Sequence, residues 1–151
     1  PASPSDQQHI TVHIRQTELF LNYAEAANEA WGPSGKSIYQ FSAKDVIAAI
    51  RKRAGISQPD TYLESISSKE QMRALIQNER RLELCFEGFR FWDMRRWKLD
   101  LTEPAKGVRI ENGQYNYFTV EDRVYDNSYM CYGPIPYDEV LKFQLEQNAG
   151  W

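Results

Sequence analysis

Apolar residues recur every three to four positions in three stretches of this chain, which is the spacing of one face of an amphipathic helix. We predict a first helix over about 15–30, a second that starts at Ser42 and ends with a left-handed Gly55, and a third that starts at Ser67 or Ser68. Asp45 follows Ser42 by three positions, and Glu70 or Gln71 follows Ser67 or Ser68 by three, which is the spacing of a capping box. The first two helices would form a helical hairpin, the unit of tetratricopeptide-like arrays, which buries its apolar face only against further helices.

The apolar positions also predict which side of each helix is buried. The expected faces are Leu19, Phe20, Tyr23, Ala27 and Ala30 in the first helix, and Met72, Leu75, Ile76, Leu82 and Phe86 in the third. The second helix ends in the basic run 51–53. We interpret this run as a solvated helix end, where positive charge is favoured by the helix dipole.

Two carboxylates fall on the apolar face of the third helix. Glu79 and Glu83 lie on that face, and Arg90 and Asp93 return to it if the helix continues through Gly88. Buried carboxylates need partners, because an unpaired buried charge is very costly, and the arginines of the segment 78–97 are the candidates. We therefore predict a structural ion-pair network. Its members are Glu79, Arg80, Glu83, Arg90 and Asp93.

Gly88 interrupts this apolar helical pattern. Glycine weakens a helix interior by up to ~1 kcal/mol relative to alanine. It therefore marks either close backbone packing, where a side chain would not fit, or a break between two helices.

The same carboxylates also allow a catalytic interpretation. Glu79 and Glu83, or Glu83 and Glu87, are four residues apart, so their Cβ atoms lie ~5–6 Å apart on a helix. Retaining glycosidases place two carboxyl groups ~5–5.5 Å apart. Such a pair must flank a substrate in a cleft, which two residues on one crowded helix face rarely do. We favour the structural interpretation and predict no catalytic residues.

After Trp97 the helical spacing gives way to alternation. Two alternating stretches flank Asn112-Gly113, the strongest short signal for a β-hairpin, and a loop-rich region follows. Tyr115 and Tyr117 fall on one face of the second strand. Sugars bind to flat aromatic faces, so Trp97, Tyr115 and Tyr117 are the candidate ligand-binding residues. For each of them, packing of the small sheet against helices is the alternative.

Composition limits the classes of function. A chain of 151 residues with 42% hydrophobic content is sufficient for one domain with a core. The net charge of −3 argues against a nucleic-acid partner, and no apolar run approaches the ~20 residues of a membrane span. His9 and His13, the latter in a short strand predicted over 10–14, have no metal-spaced companions. Neither a metal nor a cofactor is expected, and the two cysteines are expected to be free thiols.

Four ordered stretches carry a resemblance to a known family. The longest is the segment 78–97, NERRLELCFEGFRFWDMRRW, and the others are RQTELFLNYAEAANE at 15–29, AAIRKRAG at 48–55, and GPIP at 133–136 with QNAGW at 147–151. The chain resembles the SusD/RagB family, the surface glycan-binding lipoproteins of Bacteroidetes. Ala149 stands where the family commonly has proline.

The resemblance implies a function that the residues alone do not. SusD-like proteins bind oligosaccharides or other nutrients on the outer membrane surface and deliver them to a SusC-like TonB-dependent transporter, without catalysis. They are built on a tetratricopeptide-like scaffold, and they are several-fold longer than this chain. We therefore expect 1–151 to be a single domain from the C-terminal part of such a protein, attached to the membrane only through a lipid anchor upstream.

Two other functions remain open. A tetratricopeptide-like helical hairpin also suits a module that binds a protein partner, which is the second interpretation. A carbohydrate-active enzyme is the third. A glycan array and a peptide pull-down would separate the first two, and hydrolysis assays would test the third.

Overall fold

The computed structural model describes residues 14–151. The helices are α1 (Gln16–Trp31), α2 (Ala43–Arg53), α3 (Thr61–Ser65), α4 (Lys69–Glu83), α5 (Phe89–Arg96) and α6 (Tyr137–Phe143), and the strands are β1 (Ala105–Glu111) and β2 (Gln114–Glu121). The predicted class, mainly α with a small β-hairpin, is confirmed. The strand predicted over 10–14 falls almost wholly outside the described residues, as do His9 and His13.

The chain forms two compact units, one that ends at Glu87 and one that spans Gly88–Trp151. In the first unit, α1 packs against α2 and α4, and α2 also contacts α4. These are the contacts expected of a helical hairpin that buries its face against a third helix. The interpretation of 1–151 as a single domain stays a prediction.

The buried face of α1 differs from the predicted one. Leu19 and Phe20 are 58% and 46% exposed, whereas the buried residues are Leu21, Ala24, Ala27 and Asn28. The side chain of Asn28 donates a hydrogen bond to the Lys69 carbonyl at 3.0 Å, which joins α1 to α4. Ala27 is buried as predicted, and Leu21 and Ala24 take the buried positions that were assigned to Leu19 and Phe20. The small side chains let α1 approach two helices closely.

Both ends of α2 follow the predicted capping chemistry. The Ser42 hydroxyl accepts a hydrogen bond from the Asp45 N–H at 3.1 Å, and the Asp45 carboxylate accepts one from the Ser42 N–H at 2.9 Å. At the other end Gly55 has φ +89°, and the Ile56 N–H donates to the Arg51 carbonyl at 3.1 Å, as in a Schellman motif. A capping box also begins α4. Local hydrogen bonds therefore fix where both helices start.

The segment 78–97 contains two helices. Helix α4 ends at Glu83, and Gly88, with φ +82°, is the N-cap of α5. Leu82 is 58% exposed and Phe86 is fully exposed with φ +63°, so the prediction that both lie on the buried face is wrong. The reason is that α4 stops before Phe86, and Leu84, just past the helix end, is the residue that is buried.

Gly88 is explained by its backbone conformation. A Cβ atom added there would meet no atom within 4 Å, so the prediction that a side chain would not fit is wrong. Its positive φ lies in the left-handed region that glycine adopts without steric cost. Of the two alternatives, the helix break is confirmed.

The β-hairpin of the second unit has the predicted turn. Asn112 and Gly113 have φ +51° and +74°, as a two-residue type I′ turn requires. The strands are antiparallel, with Tyr115 opposite Ile110 and Tyr117 opposite Val108. The turn thus sets the register that places both tyrosines on one face of β2.

Candidate ligand-binding site

A buried arginine joins three elements of the first unit. The Arg51 side chain, 13% exposed at the end of α2, lies 2.5 Å from the Asp60 carboxylate and 2.7 Å from that of Glu79 on α4. Asp60 is also the N-cap of α3 and accepts a hydrogen bond from the Leu63 N–H at 3.1 Å. We call Arg51, Asp60 and Glu79 the Arg51 cluster. It links the ends of α2 and α3 to the middle of α4.

Two further acidic residues, one in α4 and one in the following turn, also have arginine partners. Glu83 pairs with Arg53, and both carboxylate oxygens of Glu87 accept hydrogen bonds from Arg15 at 2.9 Å. The partners of Glu79 and Glu83 are therefore at the end of α2, outside the segment 78–97. The interpretation of the run 51–53 as a solvated helix end is wrong for Arg51, because two carboxylates from distant positions fold onto it.

The remaining members of the predicted network are buried or half-buried. Arg80 is 4% exposed and donates to the Asn22 side chain at 2.6 Å. Asp93 is 4% exposed and accepts from Arg96 at 2.8 Å, and Arg90 is half-buried. These contacts suit a structural role. That the five predicted residues act as one network stays a prediction.

The catalytic interpretation needs two carboxyl groups that face one substrate. Glu79 is held by Arg51 and is 5% exposed, and Glu83 is held by Arg53. Each carboxylate of this pair is thus directed to a different arginine. This geometry favours the structural role that the helix pattern indicates.

The Arg51 cluster makes the free energy of unfolding depend on pH in the acidic range. Hydrogen bonds from Arg51 lower the pKa of Asp60 below its ordinary value and outweigh the opposing effect of burial. A carboxyl group whose pKa is lowered by folding stabilises the folded state. Its contribution is complete above the unfolded-state pKa of ~3.9, and it is lost as the pH falls through the pKa of the folded state.

We expect Asp60→Asn to flatten the fall in unfolding free energy between about pH 5 and pH 2, because the titrating group is removed. Urea denaturation at a series of pH values measures the slope. Glu29 and Asp45, whose pKa values are also lowered by their hydrogen bonds, keep a residual slope in both proteins. Equal slopes in the variant and the unaltered protein would contradict the role given to Asp60.

The C-terminal tail of the second unit forms hydrogen bonds with the backbone of the loop 132–135. The side-chain amide of Gln147 accepts from the Ile135 N–H and donates to the Ile135 carbonyl, both at 2.8 Å. Asn148 donates to the Gly133 carbonyl at 2.7 Å. We call these contacts, with that of Trp151 below, the tail clamp. Its hydrogen bonds to 132–135 all go to backbone atoms.

Trp151 completes the tail clamp. Its indole N–H donates to the Tyr132 carbonyl at 3.1 Å, and its ring packs edge-on against Tyr129 with centroids 5.1 Å apart. Gly150, with φ +90°, lies against the same tyrosine, where an added Cβ would come within 2.5 Å of the ring. The tail packs closely only because Gly150 has no side chain.

A cleft of about 470 Å³ lies in the second unit, between the end of α5 and the clamped loop. Its lining is Trp92, Arg95, Arg96, Lys98, Cys131, Tyr132 and Gly133. We call it the α5 cleft. Trp92 and Tyr132 are 67% and 64% exposed, so both rings are accessible to a ligand. The sequence shows only that aromatic and basic residues are dense over 89–98.

The predicted ligand-binding residues lie on two elements. Tyr115 and Tyr117 are 64% and 76% exposed and stand together on β2. Trp97 is the C-cap of α5 and is half-buried, with the Arg96 guanidinium 4.6 Å from its ring centroid. The hairpin therefore brings the two tyrosines together, whereas Trp97 belongs to the helix.

Residues 14–151 contain neither a membrane-spanning helix nor a cluster of metal ligands. Over that range, no helix has both the length and the apolar composition needed to cross a membrane. Across the same residues, no three histidine, cysteine or acidic side chains gather as metal ligands would. Cys85 and Cys131 are free thiols, as predicted.

The sequence model of the SusD family matches residues 2–151, and the chain belongs to that family. The resemblance carried by the four motifs is thereby confirmed. Among curated proteins, the SusD-like protein P38 of Formosa agariphila is 28% identical over 114 residues, which cover 70% of this chain and 21% of that protein. The chain thus spans well under two thirds of that relative's length. No solved structure matches the chain.

Proposed function

We propose that this chain belongs to a cell-surface protein that binds glycans or other nutrients and delivers them to a SusC-like TonB-dependent transporter of the outer membrane. The observation that carries the proposal is the match of the SusD family to residues 2–151. The protein would be attached to the outer membrane by a lipid anchor upstream of this chain. It would break no bond and need no cofactor.

Ligand capture by such a protein depends on exposed aromatic faces and nearby polar groups. Tyr115 and Tyr117 supply two exposed rings on one face of β2, at a spacing of ~7 Å for alternate residues of a strand. Trp97 is a third candidate at the end of α5. One sugar stacks only weakly on one ring. Capture would therefore use several weak contacts, which also allow release to the transporter.

We expect the double variant Tyr115→Ala/Tyr117→Ala to weaken glycan binding by roughly tenfold, because each ring contributes ~0.5–1.5 kcal/mol beyond burial. Both side chains are exposed, so the fold should persist. A glycan array on the full-length protein identifies a ligand, and calorimetry with that ligand measures the affinity of each variant.

Tyr137→Ala is the matched control, since Tyr137 is 72% exposed but begins α6 rather than lying on the hairpin. It should leave affinity unchanged. If the double variant binds as tightly as the control, the hairpin is not the binding surface. If no saccharide on the array binds the full-length protein, glycan capture is wrong and the nutrient is of another class.

A further inference from the structure

We propose that the α5 cleft binds an acidic sugar, one that carries a carboxylate or a sulfate group. This deepens the proposed function of glycan capture and rests on it. The cleft combines exposed aromatic rings with a concentration of positive charge. Neutral saccharides require the rings but not the charge. The charge therefore indicates the class of ligand.

Three cations line the cleft from one short stretch. They are Arg95, Arg96 and Lys98, and among the described residues that line the cleft none is a carboxylate. The protein as a whole carries a net charge of −3. The positive charge of the cleft is thus a local property, opposite in sign to that of the chain.

Two of these cations are held in place by neighbouring side chains. The Arg95 guanidinium lies 3.5 Å from the Phe91 ring centroid and donates to the Phe91 carbonyl at 3.1 Å. Arg96 is paired with the buried Asp93 at 2.8 Å. A guanidinium has five N–H donors, so the contact of Arg95 with the Phe91 carbonyl leaves donors for a ligand. Fixed guanidinium groups bind carboxylate and sulfate oxygens with two parallel hydrogen bonds.

Lys98 adds an exposed point charge to the lining of the cleft. Among residues 14–151 the structure places no carboxylate within ion-pair distance of Lys98 or Arg95. The negative end of α5 would oppose an anion, but its last carbonyls accept hydrogen bonds from the N–H groups of Lys98 and Leu99. Among the described residues that line the cleft, the charged side chains are therefore all cations.

The aromatic rings of the cleft supply the sugar-binding part of the site. Trp92 is positioned by Phe91, which meets it edge-on at 4.9 Å, and the backbone of Tyr132 is held by Trp151. A volume of about 470 Å³ falls within the range of small-molecule sites, ~300–1,000 Å³. The site therefore offers two stacking faces, two guanidinium groups held in place and one exposed lysine, which suits a short run of acidic sugars.

The test compares three probes with the full-length protein by calorimetry. These are a galacturonic acid trisaccharide, a sulfated galactose trisaccharide and the neutral galactose trisaccharide. The first two distinguish carboxylate from sulfate as the source of the charge. We expect at least one acidic probe to bind tenfold or more tightly than the neutral one, and to weaken as salt is raised, because exposed charges are screened.

The double variant Arg95→Gln/Lys98→Gln should lose that preference, with tenfold or weaker binding of the acidic probe and unchanged binding of the neutral one. Lys98→Gln alone, which removes no packing contact, should lose part of it. The control Lys106→Gln/Arg109→Gln removes two cations from the hairpin and should keep the preference. Thermal melting checks that each variant is folded.

Equal affinity for acidic and neutral probes would overturn the acidic-sugar assignment while leaving glycan capture intact. The same holds if the double variant at Arg95 and Lys98 keeps its preference for the acidic probe. Absence of binding by every saccharide on the array would instead overturn glycan capture, and the assignment of the cleft with it.

Discussion

Replacing Arg51 with methionine is expected to lower the free energy of unfolding by ~3–5 kcal/mol, the cost of breaking a buried ion pair from one side. Methionine keeps most of the length and apolar contact of the side chain but removes its charge. Asp60 and Glu79, 7% and 5% exposed, would then be buried without a counter-charge. Urea denaturation of the full chain, followed by circular dichroism, measures the loss.

Arg53→Met is the matched control, since Arg53 lies in the same helix and also pairs with an acidic residue of α4. Its side chain is 57% exposed, so the pair with Glu83 is screened by water and should contribute less than ~1 kcal/mol. If both variants have the same free energy of unfolding, Arg51 does not hold the three elements together and contributes no more than the exposed Arg53.

The second large effect is expected in the tail. Gly150→Ala should destabilise the second unit by ~2–5 kcal/mol. A left-handed alanine contributes ~1–2 kcal/mol of this, and the overpacked contact contributes ~1–3 kcal/mol. The new Cβ at position 150 would overlap both the ring and the Cβ atom of Tyr129. We expect the tail clamp to open. Amide hydrogen exchange at Ile135, whose N–H is held by Gln147, reports the opening.

The variant Gly88→Ala separates the cost of the left-handed backbone from the cost of overpacking. Gly88 has nearly the same φ as Gly150, +82° against +90°, but an added Cβ there has open space. It should cost only the ~1–2 kcal/mol of the left-handed conformation and leave exchange at Ile135 unchanged. A Gly150→Ala protein that loses no more stability than Gly88→Ala would show that Tyr129 moves aside freely.

The features that the sequence predicts well are those fixed by near neighbours. The Ser42 capping box, the left-handed Gly55 and the turn at Asn112-Gly113 each depend on residues within a few positions of one another. Their hydrogen bonds form whatever the rest of the chain does. Helix starts and the hairpin register could therefore be predicted before any packing was known.

The partners of the buried charges depend on contacts between distant residues. Helical spacing shows that Glu79 is on a buried face, but its partner lies 28 residues earlier, in a run where three basic residues look alike. Only the packing of α2 on α4 decides that Arg51 turns inward and Arg53 outward. Periodicity identified the carboxylate correctly and could not identify its arginine.

The α5 cleft was beyond sequence reasoning for a related reason. Its walls come from 92–98 and 131–133, and they meet because Lys98 adopts a left-handed φ of +51° and the tail clamp fixes the second wall. Neither conformation has a residue pattern that signals it. The sequence predicts Trp97 as a ligand-binding ring, but the more exposed indole of α5 is that of Trp92, while Trp97 is half-buried.

The tail clamp has a consequence for how this loop can evolve. The hydrogen bonds of Gln147, Asn148 and Trp151 to 132–135 go to backbone N–H and carbonyl groups, which nearly every residue type has. The course of the loop is therefore uncoupled from the identity of residues such as Tyr132. Point substitutions at that wall can change what the cleft accepts while its frame stays constant, which is how antibody loops diversify on a conserved scaffold.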